Sequence, residues 1–172
     1  MSKENTNYLE PNSDMKTQTK ITELTKEDLS DLFSTALYGS NYLSADYDDA
    51  DDCDEDCYED TMAMILLNGG AIRVTDGYAD GCHHGELPCQ FNEDYDATYT
   101  LKLEDIIKGL ERAADGTFNA GENDEYMPDW KDRNIAFAKR SFEAMAWNER
   151  EWDAITADCL MQIILFNEIV YG

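Results

Sequence analysis

Carboxylate side chains crowd one short stretch of this sequence, from Asp46 to Asp60. Ten of its fifteen residues are acidic: Asp46, Asp48, Asp49, Asp51, Asp52, Asp54, Glu55, Asp56, Glu59 and Asp60. Such side chains can coordinate divalent cations, or they can present negative charge to a basic protein. A calcium-binding EF-hand loop needs glycine at its sixth position, and the registers that begin at Asp46 and Asp48 both lack it. We therefore interpret these ten residues as a candidate partner-binding surface and expect no specific calcium site.

Cysteine and histidine side chains form a second candidate for chemistry, because four such ligands can hold zinc in a tetrahedral site. The candidates are Cys53, Cys57, Cys82, His83, His84 and Cys89. The four that fit such a site best are Cys53, Cys57, Cys82 and Cys89. Their spacings, C-x3-C and C-x6-C, match no common zinc finger or ribbon, and free cysteines are often buried in protein cores. We therefore favour reduced core thiols and expect no metal and no other cofactor.

No motif of a common enzyme class occurs in the chain: there is no G-x-S-x-G, Walker loop, H-E-x-x-H or G-x-G-x-x-G. Asp76, Asp80 and Glu86, beside the two adjacent histidines, could surround a metal ion in a nuclease. A nuclease must approach phosphates, and a net charge of −25 opposes that approach. We therefore expect that the protein is not an enzyme and has no catalytic residues.

The negative charge is unevenly distributed along the chain. Residues 1–20 have no net charge, whereas residues 21–60 carry −13 of the total of −25. We expect residues 1–20 to be a flexible leader and residues 21–172 to form a single acidic domain. A surface this negative repels nucleic acid and anionic membranes and attracts basic proteins.

The chain carries no signal for export or membrane insertion. It has no run of about 18 apolar residues, and its N-terminus lacks the apolar core of a secretory signal. We therefore expect the protein to stay in the compartment where it is made, with its five cysteines reduced.

Two helices are predicted before residue 70. Thr25 and Asp28 are typical of a helix start, and Gly39 is typical of a helix end. The second helix is predicted from about Ser44 to Leu67, because small or apolar residues recur there at steps of three and four. These residues are Tyr47, Ala50, Cys53, Cys57, Thr61, Met64 and Ile65. The ten carboxylates would then lie on the other faces of this helix.

The middle of the chain predicts β structure, and the end predicts helices. Strands are expected at residues 71–75 and 98–102, with further pairing near residues 89–91. Helices are expected at about residues 103–114, 129–147 and 152–171, the last of them in the core. This order predicts an α+β fold: a small antiparallel sheet of two to three strands packed with about five helices.

An acidic helix from Asp46 to Asp60 would have nearly the linear charge density of DNA. It would span roughly 22 Å and carry about one carboxylate per 2 Å, against about 1.7 Å per phosphate in a duplex. In size, charge and this acidic helix, the chain resembles the acidic inhibitors that phages and other mobile elements make against restriction enzymes and CRISPR nucleases. Many of these inhibitors mimic DNA. The resemblance implies a stoichiometric inhibitor in the cytoplasm of a bacterial host, presenting its helix to a basic nucleic-acid-binding cleft.

Two other functions also fit the sequence. One is a structural or regulatory interaction module whose acidity only aids solubility and whose partner docks on an apolar or aromatic surface; the other is a small zinc-binding module. The aromatic candidates, which otherwise pack between helices, are Tyr126, Trp130, Trp147 and Trp152. The basic residues that form a cluster are Lys131, Arg133, Lys139 and Arg140. We expect this cluster to offset neighbouring acids or to meet the acidic face of a second subunit, which leaves a homo-oligomer open.

Overall fold

The computed structural model describes residues 20–48, 58–147 and 152–171. In this part of the chain a four-stranded antiparallel sheet packs against five helices, which follow a helical turn at residues 20–22. In chain order the elements are α1 (Lys26–Gly39), β1 (Leu43–Asp46), α2 (Tyr58–Leu67), β2 (Ala71–Asp76), β3 (Cys89–Phe91), β4 (Ala97–Lys102), α3 (Leu103–Asp115), α4 (Trp130–Trp147) and α5 (Ala154–Phe166). The predicted α+β class is confirmed. The predicted leader lies outside the described residues, apart from Lys20.

Helix α1 begins at the cap that the sequence predicted. The Thr25 hydroxyl accepts from the backbone N–H of Asp28, and the Asp28 carboxylate accepts from the backbone N–H of Thr25. This reciprocal capping box satisfies two amide groups that the first helical turn leaves without partners. The apolar side chains of α1 then face the core, and they are Leu29, Leu32, Phe33 and Ala36.

The strands lie in the order β1-β2-β4-β3, so β2 and β4 form the centre of the sheet. Buried and more exposed residues alternate along both central strands, as expected for a sheet with one face on the core. Val74 lies opposite Tyr99, and Asp76 lies opposite Ala97, all on the buried face. A carboxylate at Asp76 is therefore enclosed among apolar side chains.

Helix α5 is the central helix of the bundle and contacts α1, α3 and α4. Ten of its thirteen residues are buried, which confirms its predicted place in the core. Gly109 allows α3 to approach closely, because a Cβ atom there would lie 2.5–2.6 Å from the Ile164 side chain and backbone. Gly39 plays the same role at the end of α1, where an added Cβ would lie 2.2 Å from Cβ of Ala154.

The structure corrects the predicted strand number, because β1 is an additional strand at the sheet edge. Residues 44–46 were expected to begin a helix, but residues 43–46 pair with β2, and Leu43 is buried while its neighbour Ser44 is exposed. The set of residues that recur at steps of three and four was also wrong as a buried helix face, because Met64 is 44% exposed. Helix α2 instead buries Met62, Ala63 and Leu66. Pairing with a central strand outweighed the helical spacing of small residues.

The last helix is shorter than predicted. It ends at Phe166, and Asn167 adopts a left-handed backbone conformation with φ 57° that terminates the helical hydrogen bonding. Residues 168–171 then fold back along α5. Ile155, on the first turn of this helix, is 69% exposed, although the helix as a whole was expected in the core.

Candidate functional site

The first part of the acidic stretch is held by one arginine. Asp46 lies directly opposite Arg73 in the β1–β2 register, and the guanidinium donates to Asp46 at 2.9 Å and to Asp48 at 2.6 Å. These bonds hold the pKa of the Asp46 carboxyl below its usual value and raise the pKa of Arg73. Asp46 and Asp48 therefore share one cation.

The second part of the acidic stretch lies on the first turn of α2. Asp60 forms an ion pair with Lys26 and accepts a hydrogen bond from the Ser30 hydroxyl at 2.7 Å, which ties α2 to α1. The bond from Lys26 lowers the pKa of the Asp60 carboxyl. Glu59 stands beside it at the positive end of the helix dipole. Asp46, Asp48, Glu59 and Asp60 together form the acidic edge of the described structure. The cations that pair with carboxylates of this edge are Arg73 and Lys26.

Two tyrosines bring the ends of the stretch together. The rings of Tyr47 and Tyr58 lie 5.1 Å apart, and the Tyr58 hydroxyl donates to the Ala45 carbonyl at 2.6 Å. On one straight helix these rings would be separated by eleven residues, about 16 Å along the axis. The continuous helix expected from Ser44 to Leu67 is therefore wrong, and so is the straight charged rod that it implied.

Six of the ten predicted partner-binding residues fall between these two ends. Asp49, Asp51, Asp52, Asp54, Glu55 and Asp56 lie outside the described residues, as do the zinc candidates Cys53 and Cys57. The described chain reaches Asp48, two residues past the end of β1, and resumes at Tyr58, the first residue of α2. Both ends are thus anchored to the folded body beside β1.

The remaining zinc candidates lie in the loop before β3. Cys82 is exposed, and Cys89 is half-buried at the start of β3, where burial raises the pKa of its thiol. A ring nitrogen of His83 bonds to the Leu87 carbonyl at 2.7 Å, and the His84 ring packs near Phe166. Within the described ranges no three histidine, cysteine or acidic side chains are grouped in a way that could hold a metal ion.

The three acids that could have formed a nuclease site have separate roles. Asp76 is fully buried and accepts from the Tyr171 hydroxyl at 2.8 Å. Glu86 forms an ion pair with Arg112, and the bond lowers its carboxyl pKa. Asp80 is an exposed turn residue with φ 46°.

Sequence reasoning missed a polar network in the core. The two carboxylate oxygens of Asp158 accept from the Tyr42 hydroxyl at 2.6 Å and from the Gln162 amide at 2.7 Å. Gln162 also binds the backbone of the returning C-terminal segment, accepting from the N–H groups of Val170 and Tyr171 and donating to the Tyr171 carbonyl. The Tyr171 hydroxyl continues the network to Asp76. The signal in the sequence was the pair Asp158 and Gln162, two polar residues four positions apart in a mostly apolar helix.

Burial and carboxylate neighbours keep the tyrosines of this network protonated. Desolvation raises the pKa of Tyr42, and its bond to Asp158 raises it further. Tyr171 has its pKa raised in the same way by burial and by Asp76. Burial also raises the pKa of Tyr99 to about 12.

This network lines a cavity of about 760 Å³. The cavity lies between the end of α1, the outer face of α5, the C-terminal segment and helix α4. Trp130 contributes to its wall, so one of the predicted aromatic candidates belongs here. Trp147 and Tyr126 are exposed at 45% and 89%, and Trp152 is half-buried.

The basic cluster lies on α4, and none of its four residues forms an ion pair with a carboxylate of the described residues. The described lysines and arginines that do lie within 4.0 Å of a carboxylate are Lys20, Lys26, Arg73, Lys102, Lys108 and Arg112. Arg140 instead places its guanidinium 5.7 Å from the centre of the Phe137 ring. The expectation that the cluster offsets neighbouring acids or meets a second subunit stays a prediction.

The fold and these surfaces define an α+β protein with an acidic edge and a separate aromatic cavity. Comparison with models of protein families, with curated proteins and with solved structures gives no match. None of the helices in the described ranges combines the length and hydropathy needed to cross a bilayer.

Proposed function

We propose that the protein is a stoichiometric inhibitor that binds a basic, nucleic-acid-binding cleft of a bacterial defence nuclease through its acidic stretch from Asp46 to Asp60. The observation that supports this most is the anchoring of both ends of the stretch by Tyr47 and Tyr58. Six carboxylates lie in the nine residues of the sequence between these two anchored positions. Holding like charges together is unfavourable, by some tenths of a kcal/mol per close pair, and a cationic partner would relieve that cost.

The way in which the negative charge would be presented to the partner differs from the single acidic helix expected from the sequence. The negative charge would be offered by a segment held at both ends beside a sheet edge, and not by one straight helix. Arg73 and Lys26 neutralise part of the acidic edge, so the six carboxylates of residues 49–57 would supply most of the attraction. A groove that binds phosphates by releasing counterions would recognise them in the same way.

The test uses purified CRISPR effectors and restriction enzymes and measures DNA cleavage against inhibitor concentration. At least one enzyme should be inhibited at a one-to-one ratio, in competition with DNA. If six carboxylates replace phosphate contacts, affinity should fall by about a thousandfold between about 50 and 200 mM salt. Inhibition that does not change with salt would contradict the proposal.

A pair of charge-matched variants locates the surface. The test variant carries Asp51→Lys, Asp52→Lys, Asp54→Lys and Glu55→Lys. The control carries the same number of reversals on exposed acids elsewhere, namely Glu93→Lys, Asp94→Lys, Asp115→Lys and Glu143→Lys. The first should lose inhibition, and the second should retain it despite having the same net charge. Equal loss in both variants would mean that overall charge, and not this stretch, is responsible.

One observation favours the alternative of an interaction module that docks on an aromatic surface. Tyr38, Tyr78 and Ile155 are all exposed large side chains close to the ends of α1 and α5. A partner seated on them would bind with little dependence on salt, and both charge-reversal variants would bind it normally.

A further inference from the structure

The cavity beside α5 has the size of a small-molecule site. Its volume of about 760 Å³ falls within the usual range for ligand pockets. Five separate parts of the chain form its wall: the end of α1, the turn after β2, helix α4, helix α5 and the C-terminal segment. It lies apart from the acidic edge, since none of Asp46, Asp48, Glu59 and Asp60 contributes to the wall.

Aromatic rings cover much of this wall. Tyr42 and Tyr78 stack with their ring centres 5.5 Å apart, and Tyr171 meets Tyr42 edge-on at 4.6 Å. Trp130 and Phe137, seven positions apart on α4, belong to the same wall. The faces of such rings carry partial negative charge and attract cations. Phe137 already illustrates this preference, because the guanidinium of Arg140 lies over its ring.

A carboxylate stands among these rings without a cation. Asp158 lines the cavity and accepts one hydrogen bond on each oxygen, from Tyr42 and Gln162, which leaves further acceptor capacity on both. No lysine, arginine or histidine of the described chain forms an ion pair with it, and none lines the cavity. Asp76, fully buried behind Tyr171, adds a second carboxylate to the same network. Carboxylates removed from water usually have a cationic partner.

We propose that this cavity binds an organic cation, an ammonium or guanidinium group on an apolar body. The cationic group would bind Asp158 beside the stacked rings of Tyr42 and Tyr78. The apolar body would contact Phe137 and Ile169. An anionic ligand is excluded by the same charges. The cation is either a free small molecule or a lysine or arginine side chain of a protein, and this inference does not depend on the inhibitor function proposed above.

Calorimetric titration of the full chain with agmatine, choline and the capped tripeptide Ala-Arg-Ala tests the proposal. Buffer with about 0.3 M NaCl limits loose binding of cations to the acidic surface, because it screens exposed charges beyond roughly 6 Å. At least one of these probes should bind at a one-to-one ratio. Tighter binding of agmatine or choline assigns a free molecule, and tighter binding of the tripeptide assigns a protein side chain. N-butylurea, an uncharged analogue of the guanidinium group, should bind at least tenfold more weakly, and equal binding would overturn the proposal.

Two variants place the binding in the cavity. Asp158→Asn keeps the shape of the side chain and removes its charge, so affinity should fall about tenfold or more. Asp115→Asn, at the exposed end of α3, should leave affinity unchanged. Tyr78→Leu removes a ring whose hydroxyl has no role in the network described above, and it tests the cavity even if Asp158→Asn does not fold. Its control is Tyr126→Leu. If none of the three probes binds, or if Asp158→Asn and Tyr78→Leu both bind like their controls, no cation site exists here.

Discussion

The side chain of Gln162 joins the C-terminal segment to helix α5. Helix α5 cannot continue past Asn167, so the chain turns back and presents backbone amides to the apolar surface of α5. The Gln162 amide satisfies them, because its oxygen accepts two N–H groups and its nitrogen donates to the Tyr171 carbonyl and to Asp158. A buried amide with every bond made is consistent with the rule that buried polar groups find partners.

Replacing Gln162 with leucine should therefore destabilise the protein despite the added hydrophobicity. Several polar groups would lose their partners, and we expect a loss of about 2–4 kcal/mol in the free energy of unfolding. Urea denaturation followed by circular dichroism measures this loss. Gln90→Leu, at an exposed position of β3, is the control and should change stability little. Similar effects of the two substitutions would show that the hydrogen bonds of Gln162 do not contribute measurably to the free energy of unfolding.

The tyrosines with raised pKa values predict how stability responds to alkali. Tyr42, Tyr99 and Tyr171 have pKa values raised by burial, so the folded state binds their protons more tightly than the unfolded state does. Their contribution is complete below the unfolded pKa near 10 and is lost as pH rises through the folded values. Stability should thus fall progressively above about pH 10.

Ultraviolet titration of tyrosinate, with denaturation at each pH, tests this expectation. Some of the ten tyrosines should resist ionisation until the protein unfolds, whereas all ten should titrate together in urea. Tyr171→Phe should have a shallower loss of stability with pH. If every tyrosine of the native protein titrates near pH 10, the network is more open to water than its contacts indicate.

At the scale of elements, the sequence predicted helices and strands best where residues close in sequence decide the structure. The cap at Thr25, the helix end at Gly39 and the strand predicted at residues 98–102 each depend on neighbours in sequence. Strand β1 depends on pairing with β2, some thirty residues later, and its local composition of small and acidic residues favours no strand. The cavity was not predictable for a related reason, because five distant segments form its wall.

Because α3 packs closely on α5, glycine at position 109 should stabilise the protein more than alanine would, although the position lies inside a helix. Alanine normally stabilises a helix by about 1 kcal/mol relative to glycine. At Gly109 a Cβ atom would overlap Ile164, and we expect Gly109→Ala to destabilise the protein by about 1–3 kcal/mol. Ala136→Gly, on the exposed side of α4, is the control and should cost about 1 kcal/mol by propensity alone. Chemical denaturation compares the two, and a stabilising Gly109→Ala would contradict the packing described for these helices.

For the molecule as a whole, charge is a cost to folding as well as a means of binding. The chain has 38 acidic residues against 13 lysines and arginines, so most carboxylates have no cation to pair with even if every base is used. The compact state holds these charges closer together than the unfolded chain does, and it is destabilised by their repulsion. The sequence could show this excess directly, whereas the assignment of particular bases to particular acids required the fold.

The thermal stability of the protein should accordingly rise with salt. Between about 10 mM and 0.5 M NaCl the Debye length shortens from roughly 30 Å to less than 5 Å, which screens repulsion between exposed carboxylates. If screening restores about 2–3 kcal/mol, the melting temperature should increase by about 4–12 °C in a chain of this size. The variant with reversals at Glu93, Asp94, Asp115 and Glu143 has eight fewer net negative charges, two for each reversal, and should gain less from the same salt. Scanning calorimetry of both proteins measures the difference. A melting temperature that stays constant or falls with salt would mean that the ion pairs at Arg73, Lys26 and Arg112 outweigh the repulsion, because screening would then remove more attraction than it relieves.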